Sequence, residues 1–577
     1  MTTFKESKVK NFNIDKRFGY IFKLDNEKGK DYFFLDKDLI DINFNQLEEG
    51  LSVIFEPEER KGTRYAKNIK LARVNKENNT SSVGDVDITK DNYLLPGGKI
   101  DNSELIIGIV SAVGSESKII IESLKSRLEI FGYHTEIIKL SSILPKFNNQ
   151  GGEYGRIKHY MQEGDKLRES SKNNSILAAG AIKLIKEYRE KNSENKKAYI
   201  IDSLKHPDEV SLLRKVYGDG FYLFGIHADE NRRMDYLVSE KGCTQENANE
   251  LIRIDEDENM DYGQKTRDTY HLADFFLNLG SNGDAVKNHL QRFLDLIFSN
   301  PHLNPTFDEF AMFMAFNSSI RSGDLSRQVG AVISKNKQIV STGANDVPRF
   351  GGGLYWAEQD PSSGKVSDFP QGKDYTRGVD SNKHMQTEII EDILRNVDSF
   401  LLNEEQKSHL ETILRNSKIS DLTEFGRVVH AEMEAILACS REGISTLNAS
   451  LYCTTFPCHN CAKHIIASGI NRVIYVEPYP KSKALDFHSE SIELRSSFDS
   501  TADTNNSKVI FEPFIGVGPR RFLDLFSMNL GVGAKLKRKD KKGHIVHWID
   551  TNKSVRTPLL TNSYLDLELK AISIFDS

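Results

Sequence analysis

Two short segments in the C-terminal half constrain this chain more than any other feature. The first is His430-Ala431-Glu432, and the second is Pro457-Cys458-His459-Asn460-Cys461. The run from Glu432 to Cys439 is made mostly of strong helix formers, and Gly443 suits the end of that helix. Ser450 to Phe456 is β-prone and partly apolar, which predicts a strand. Pro457 fits the first turn of a second helix, where its missing N–H costs little. Cys458 and Cys461 then share one helix face at the positive end of the dipole, which favours thiolates. The chain here must therefore fold as helix, strand, helix. A C-x-x-C alone fits half of a structural zinc site or a redox pair, and a single His is commonly an ordinary core or surface residue. The information lies in the combination.

That combination resembles the zinc nucleobase deaminases, whose H-x-E…P-C-x-x-C signature it matches. The resemblance implies Zn2+ held by His430, Cys458 and Cys461. Three protein ligands leave the fourth tetrahedral position to a water whose pKa falls to about 7. It further implies attack of hydroxide on C4 of a cytosine ring. Glu432, not a ligand, would move protons between the water, ring N3 and the departing ammonia. Cys243, Cys439 and Cys453 lie outside the motif and are expected to be small buried apolar residues.

A chain of 577 residues is too long for one core, and two to four domains are expected. No run of 18 apolar residues occurs, so no membrane span is expected, and the start lacks an apolar signal core. Five cysteines, two of them in the metal motif, argue against a disulfide framework and for a cytoplasmic protein. A formal charge of −6 excludes a globally basic nucleic-acid binder, so any such binding needs a local patch.

Residues 1–73 alternate short β-rich runs with polar turns and predict a small OB-like β-barrel. Lys8-Val9-Lys10-Asn11-Phe12-Asn13, Lys16-Arg17-Phe18-Gly19-Tyr20-Ile21 and Asp31-Tyr32-Phe33-Phe34 resemble the cold-shock domain. The resemblance implies base stacking on Phe18, Tyr20 and Phe33, with Lys10 and Lys16 beside them, and so a regulatory RNA or single-stranded DNA as partner. Asn11 and Leu35 stand where that family usually has tryptophan and histidine, which reduces the stacking platform. The other reading is a barrel that docks a protein or a second copy of the chain.

Residues 74–103, rich in Asn, Ser, Asp, Lys and Gly, read as a linker. Residues 104–300 alternate apolar strands with helices and predict a doubly wound parallel α/β domain. The turn after its first strand resembles the phosphate loop of the P-loop nucleotide kinases, through Gly108, Gly114, Ser115 and Lys118, with Asp202 placed like a magnesium-side acid. The Walker pattern G-x-x-x-x-G-K-S/T is not met, because Ser115 and Glu116 follow Gly114. Asp229-Glu230-Asn231-Arg232-Arg233 resembles a kinase lid. The expectation is a domain that senses a nucleotide effector or serves structurally, without phosphoryl transfer.

Residues 301–577 carry a capping box at Thr306 and Glu309, and the stretches Ser326-Arg327-Gln328-Val329-Gly330-Ala331 and Gly343-Ala344-Asn345-Asp346-Val347-Pro348. With the zinc motif these resemble the deoxycytidylate deaminases and imply an α/β/α cytidine-deaminase fold. Asn345 would contact sugar or base, and Arg327 or Arg349 would meet phosphate. Residues 350–425 form a long insertion between these motifs. Tyr355-Trp356 within it could cover the pocket or pack in the core, and the basic run Lys535 to Lys542 reads as a solvated hairpin. The whole order, with the tail Gly518-Pro519-Arg520-Arg521, resembles the bacterial anti-phage dCTP deaminases. That implies conversion of dCTP or dCMP to dUTP or dUMP, depletion of deoxycytidine nucleotides, RNA control and a homo-oligomer. The rivals are a polynucleotide-editing deaminase and a nucleotide- or RNA-sensing module with an idle deaminase fold.

Overall fold

The computed structural model describes residues 5–13, 16–24, 30–40, 47, 51–60, 63–71, 103–148, 151–192, 196–256, 262–280, 283–397, 402–477, 482–495, 507–531, 535–548 and 554–559. The linker expected at 74–103 lies outside these residues but for Ser103. The chain divides into two compact units, Met1–Val86 and Asp87–Ser577. Among the described residues no helix is long and apolar enough to cross a membrane.

The first unit is a closed barrel of β1 (Lys5–Asn13), β2 (Phe18–Ile21), β3 (Tyr32–Leu35), β4 (Ser52–Arg60) and β5 (Thr63–Leu71), in the order β1-β2-β3-β5-β4. Alternation along the strands turns Val9, Ile21, Phe34, Val53, Phe55 and Ala66 inward. The opposite phase leaves Phe18, Tyr20, Phe33 and Tyr65 on the outside, where their rings meet at 5.4 to 5.9 Å.

The second unit holds two six-stranded sheets. One contains β6 (Leu105–Ser111), β7 (His134–Lys139), β8 (Lys197–Asp202), β9 (Phe221–His227) and β10 (Phe275–Asn278), all mutually parallel, in the order β10-β9-β6-β8-β7. The central strands β6 and β9 are buried along their whole length, as their apolar runs require, while β7 at the edge is exposed at both ends. The insertion carries a short hairpin, β11 (Glu358–Gln359) with β12 (Val366–Ser367), and two helices, Ser381–Asn396 and Glu404–Arg415.

The other large sheet comprises β13 (Gly330–Lys335), β14 (Gln338–Ala344), β15 (Ser450–Cys453), β16 (Arg472–Tyr475), β17 (Ile492–Leu494) and β18 (Val509–Pro513), in the order β14-β13-β15-β16-β18-β17. The helices Ala431–Arg441 and His459–Ala467 cover one face, packing Ala435, Cys439, Cys461 and Ile465 on Ala331, Ile333 and Leu451. The helix Phe307–Ser319 covers the opposite face with Ala311, Met312 and Ala315. The expected layering of helix, sheet and helix is present. Both approaches run over glycine. A Cβ at Gly343 would lie 2.0 Å from the Ala431 carbonyl, and one at Gly330 would lie 1.9 Å from the Ala315 carbonyl.

The two sheets share a core. Ile106, Val110, Tyr270 and Phe276 cluster with Ala311, Val332, Tyr452 and Phe514. A last strand, β19 (Gly516–Val517), leaves the second sheet and pairs antiparallel with β10 as the sixth strand of the first. Glu309 ties this together. Its carboxylate accepts from the Thr306 backbone in the expected capping box, from Arg292 at 2.7 and 2.9 Å, and from the Val517 N–H at 2.9 Å. Arg521 of the Gly-Pro-Arg-Arg tail is buried, donating to the Phe221 carbonyl at 2.6 Å and facing Asp274 at 3.4 Å. The tail is thus a structural clasp on the parallel sheet.

Candidate active site

His430 is the N-cap of the helix Ala431–Arg441, in extended backbone, and Cys458 is the N-cap of the helix His459–Ala467. Pro457 therefore precedes the second helix instead of entering its first turn, and β15 ends at Cys453, earlier than the expected Phe456. Both helix starts point at one spot. His430 Nδ1 lies 3.3 Å from Cys458 Sγ and 3.3 Å from Cys461 Sγ, and the three atoms lie within 4.8 Å of one another. A tetrahedral zinc with bonds of about 2.0–2.3 Å needs nitrogen–sulfur edges of about 3.6 Å, so the residues fit such an ion. Cys461 is buried, while His430 and Cys458 are half-buried and leave one side open.

The electrostatics suit a cation. A hydrogen bond with Cys461, reinforced by His430, draws the Cys458 thiol down to about 3. Contact with Cys458 pushes the His430 imidazole up to about 9. Glu432 follows on the first turn, only 2% exposed, and its Oε2 is buried with no hydrogen-bond partner among the described residues. Burial raises its carboxyl above the usual range, which suits a group that takes and returns a proton. Cys243, Cys439 and Cys453 are buried and free, as expected of them.

Asn345 is buried beside the motif, and its side chain holds two backbone groups. Its Oδ1 accepts from the Val329 N–H at 2.6 Å and its Nδ2 donates to the Arg327 carbonyl at 2.8 Å. It shapes the loop leading into β13. Asp346 pairs through its backbone with Val429, next to His430, at 3.0 and 3.3 Å. Its carboxylate receives Lys373 at 2.9 Å, and Arg427 meets Asp374 at 2.7 Å, so the insertion is latched to the Asn345 loop. Arg327 is exposed on this loop, and Arg349 is 3.7 Å from Glu358 on the insertion's hairpin. Sequence reasoning passed over Arg321 and Lys373. Arg321 could have been noticed five residues before Ser326, whereas Lys373 is placed only by tertiary folding.

The phosphate-loop residues do not assemble as a phosphate cradle. Gly108 lies within β6, against Leu204 and Phe221. Lys118 has a side chain 84% exposed and pairs with Glu122 at 3.6 Å. Gly114 packs on the Arg233 backbone, and the Ser115 hydroxyl is buried without a hydrogen-bond partner among the described residues. Glu116 occupies the turn and accepts from Arg232 Nε and Nη2 at 2.9 and 2.7 Å, an internal pair where an incoming phosphate would need a cation. Asp202 is held above the usual carboxylate range by burial and accepts from the Ser203 hydroxyl at 3.2 Å.

On the barrel, Tyr20, Phe33 and Tyr65 line a groove of about 1400 Å³ with Lys8, Lys10 and Arg64. Lys10 is paired with Asp31 at 2.7 Å. Phe18 stacks behind Phe33 outside the groove lining, and Lys16 is exposed away from it. Tyr65 joins this face from β5, in register with Phe33, a placement that the strand alternation alone signals. The basic run Lys535 to Lys542 includes a bridge between Lys539 and Ile545, and Arg538 donates to the Pro301 carbonyl at 2.8 Å.

The family model for the cytidine and deoxycytidylate deaminase zinc-binding region matches residues 305–477. A deoxycytidylate deaminase of Enterobacteria phage T4 is 33% identical over 171 residues, covering 30% of this chain and 77% of the relative. A deoxycytidylate deaminase of Saccharomyces cerevisiae is 23% identical over 297 residues, covering 49% of this chain and 76% of the relative. A crystal structure of a cyanophage S-TIM5 dCMP deaminase with dCMP and dUMP aligns at 19% identity over 37% of this chain and 100% of its own, with a TM-score of 0.20.

Proposed function

Since the chain belongs to the deoxycytidylate deaminase family, we propose that it hydrolytically deaminates dCMP to dUMP, and dCTP to dUTP, depleting deoxycytidine nucleotides as a defence against phage. The observation that carries this reading is the unpartnered Glu432 carboxylate oxygen, buried one turn from the His430, Cys458 and Cys461 donors. Zn2+ bound by those three side chains supplies Lewis acidity that makes water a nucleophile at neutral pH. Glu432 accepts the proton of the attacking water and delivers it to ring N3. It then takes the proton of the hydroxyl added at C4 and passes it to the 4-amino group, so that the C4–N bond breaks, the C4 carbonyl forms and ammonia leaves. Cys453, itself fully buried, lies beside that carboxylate and limits the water around it.

A second reading concerns control. The barrel takes a single-stranded RNA in the groove of Tyr20, Phe33 and Tyr65, with Lys8 and Arg64 toward its phosphates. The Glu116–Arg232 pair argues that the parallel sheet acts through its shared core with the deaminase layer instead of by phosphoryl transfer. The test is ammonia release from dCMP, dCTP, CTP and single-stranded DNA, with and without copurifying RNA. Release from dCMP or dCTP is expected; uracil formed only in oligonucleotides would favour an editing enzyme, and no release from any cytosine substrate an idle fold.

A further inference from the structure

The basic run from Lys535 to Lys542 is held too firmly to be a loose solvated turn. Arg538 points inward, donating to the Pro301 carbonyl at 2.8 Å and to Asn304 Oδ1 at 3.1 Å. His302 Nε2 donates to the Val546 carbonyl at 2.7 Å. Trp548 donates its indole N–H to the Phe298 carbonyl at 3.0 Å, with its ring beside Phe131. Leu536 is buried. The turn also closes on itself: Lys539 bridges Ile545, and the Asp540 carboxylate accepts from the Lys542 and His544 N–H groups, each at 2.8 Å. These contacts fix the backbone, so the fold decides which side chains this hairpin turns outward.

What it turns outward is cationic. Lys535, Lys537, Lys539, Lys541 and Lys542 are exposed, and none has a carboxylate partner among the described residues. Residues 535–548 hold six Lys and Arg against one Asp, in a chain whose formal charge is −6. Other surface lysines sit beside acids: Lys166 meets Glu163 at 2.7 Å, Lys183 meets Glu187 at 4.0 Å and Lys186 meets Glu190 at 3.8 Å. Like charges gathered on a fixed turn repel one another, and an anion of several charges relieves that repulsion. Beside the lysines runs a groove of about 680 Å³, lined also by His302, Met528, Asn529 and Ile545, and by no Phe, Tyr or Trp among the described residues.

Exposure alternates along the run, outward at Lys535, Lys537 and Lys539 and inward at Leu536 and Arg538, the period of extended backbone. Three ammonium groups thus follow one another along one side, as successive phosphates do along a nucleic-acid strand. Without an aromatic ring the groove has no platform for unpaired bases, unlike the barrel face of Tyr20, Phe33 and Tyr65. Backbone phosphates remain as its target, and a double helix holds those in fixed register. We propose that this hairpin binds the phosphate backbone of a double-stranded nucleic acid, whatever its sequence, through residues that belong to neither the deaminase site nor the barrel groove. Duplex RNA and duplex DNA share that chemistry.

The experiment is fluorescence anisotropy of labelled duplex RNA and duplex DNA with the full-length protein across a salt series. Wild type is compared with the triple variant Lys535→Gln, Lys537→Gln, Lys539→Gln. Each neutralised phosphate of a DNA duplex adds about 0.9 to the slope of log affinity against log salt, so the variant should bind more weakly with a slope smaller by about 2 to 3. Which of the two duplexes shows this loss identifies the source. The thermal midpoint and ammonia release from dCMP should stay at wild-type values, because these lysines are exposed and lie outside the zinc site. The control triple Lys166→Gln, Lys183→Gln, Lys186→Gln removes the same charge elsewhere and should leave the slope unchanged. Equal losses in both triples would mean attraction to overall charge and would overturn the proposal. Tyr20→Ala with Phe33→Ala should leave duplex binding intact; loss there, with none in the hairpin variant, moves the site to the barrel and also overturns it. Leu530 and Ile545 are exposed beside the lysines, so sedimentation with phosphatidylserine vesicles is the last arm. Lysine-dependent sedimentation without duplex binding would assign the hairpin to an anionic membrane instead.

Discussion

A methyl group at Gly343 has nowhere to go. Its carbon would lie 2.0 Å from the Ala431 carbonyl oxygen and 2.7 Å from the Ala435 nitrogen, where ordinary contact begins at 3.4 Å. Both neighbours are backbone of the helix that starts beside His430, so no side chain can rotate away. The helix must retreat from β14 by roughly 1 Å, and overpacking of this kind costs about 1–3 kcal/mol. The retreat carries His430 and Glu432 with it while Cys458 and Cys461 stay on their own helix. Misplacing a reacting group by about 1 Å costs on the order of 100-fold in rate. Gly343→Ala should therefore show a lowered thermal midpoint, less than one zinc per chain by elemental analysis, and kcat for dCMP down about 100-fold in the folded fraction. Gly330→Ala is the control, since its methyl would meet the Ala315 carbonyl at 1.9 Å on the opposite face. It should lose comparable stability yet keep its zinc, because the helix Phe307–Ser319 carries no ligand. Wild-type zinc content and kcat in Gly343→Ala would refute the claim that this close approach sets the site.

Glu432→Gln should retain zinc but release ammonia from dCMP at least about 100-fold more slowly, since general acid–base groups contribute about 10²–10⁴-fold; near-normal turnover would remove Glu432 from the mechanism. His227, at the end of β9, is kept neutral by burial, its pKa lowered from 6.5 to about 4. The unfolded chain then takes up a proton that the folded chain refuses, so stability is whole above pH 6.5 and falls by about 3 kcal/mol as the pH drops to 4. Urea denaturation of wild type and His227→Gln at pH 7 and 4.5 checks this, with a shallower pH dependence expected in the variant and parallel curves counting against it. Tyr20→Ala and Phe33→Ala should each weaken single-stranded RNA binding by about 1–3 kcal/mol in fluorescence anisotropy, with deamination chemistry unchanged when RNA is absent. Equal affinity in both variants would point to the barrel as a protein-docking module.

Local patterns carried much of this protein. The H-x-E and P-C-x-x-C spacings, the Thr306–Glu309 box and the two-residue alternation of the barrel strands are short-range codes, and the structure has the matching helix starts, cap and outward aromatic face. Residue type and spacing suffice there because the physics acts within a turn of helix or across one strand. What the sequence alone left open depends on contacts between segments far apart in the chain. Asn345 reads as a ligand contact, and only tertiary folding ties its amide to the 327–329 backbone as well. The tail arginine Arg521 reads as part of a family signature, yet it is buried against Asp274 and the Phe221 carbonyl. Glu116 reads as a missing lysine, and only the fold brings Arg232 to it across 116 positions. Around His430 the same division holds. Residue types and their spacing named the atoms that could grip a metal. Tertiary structure decided which charges near them are cancelled, pairing Lys373 with Asp346 and Arg441 with Glu434 across distant stretches of chain.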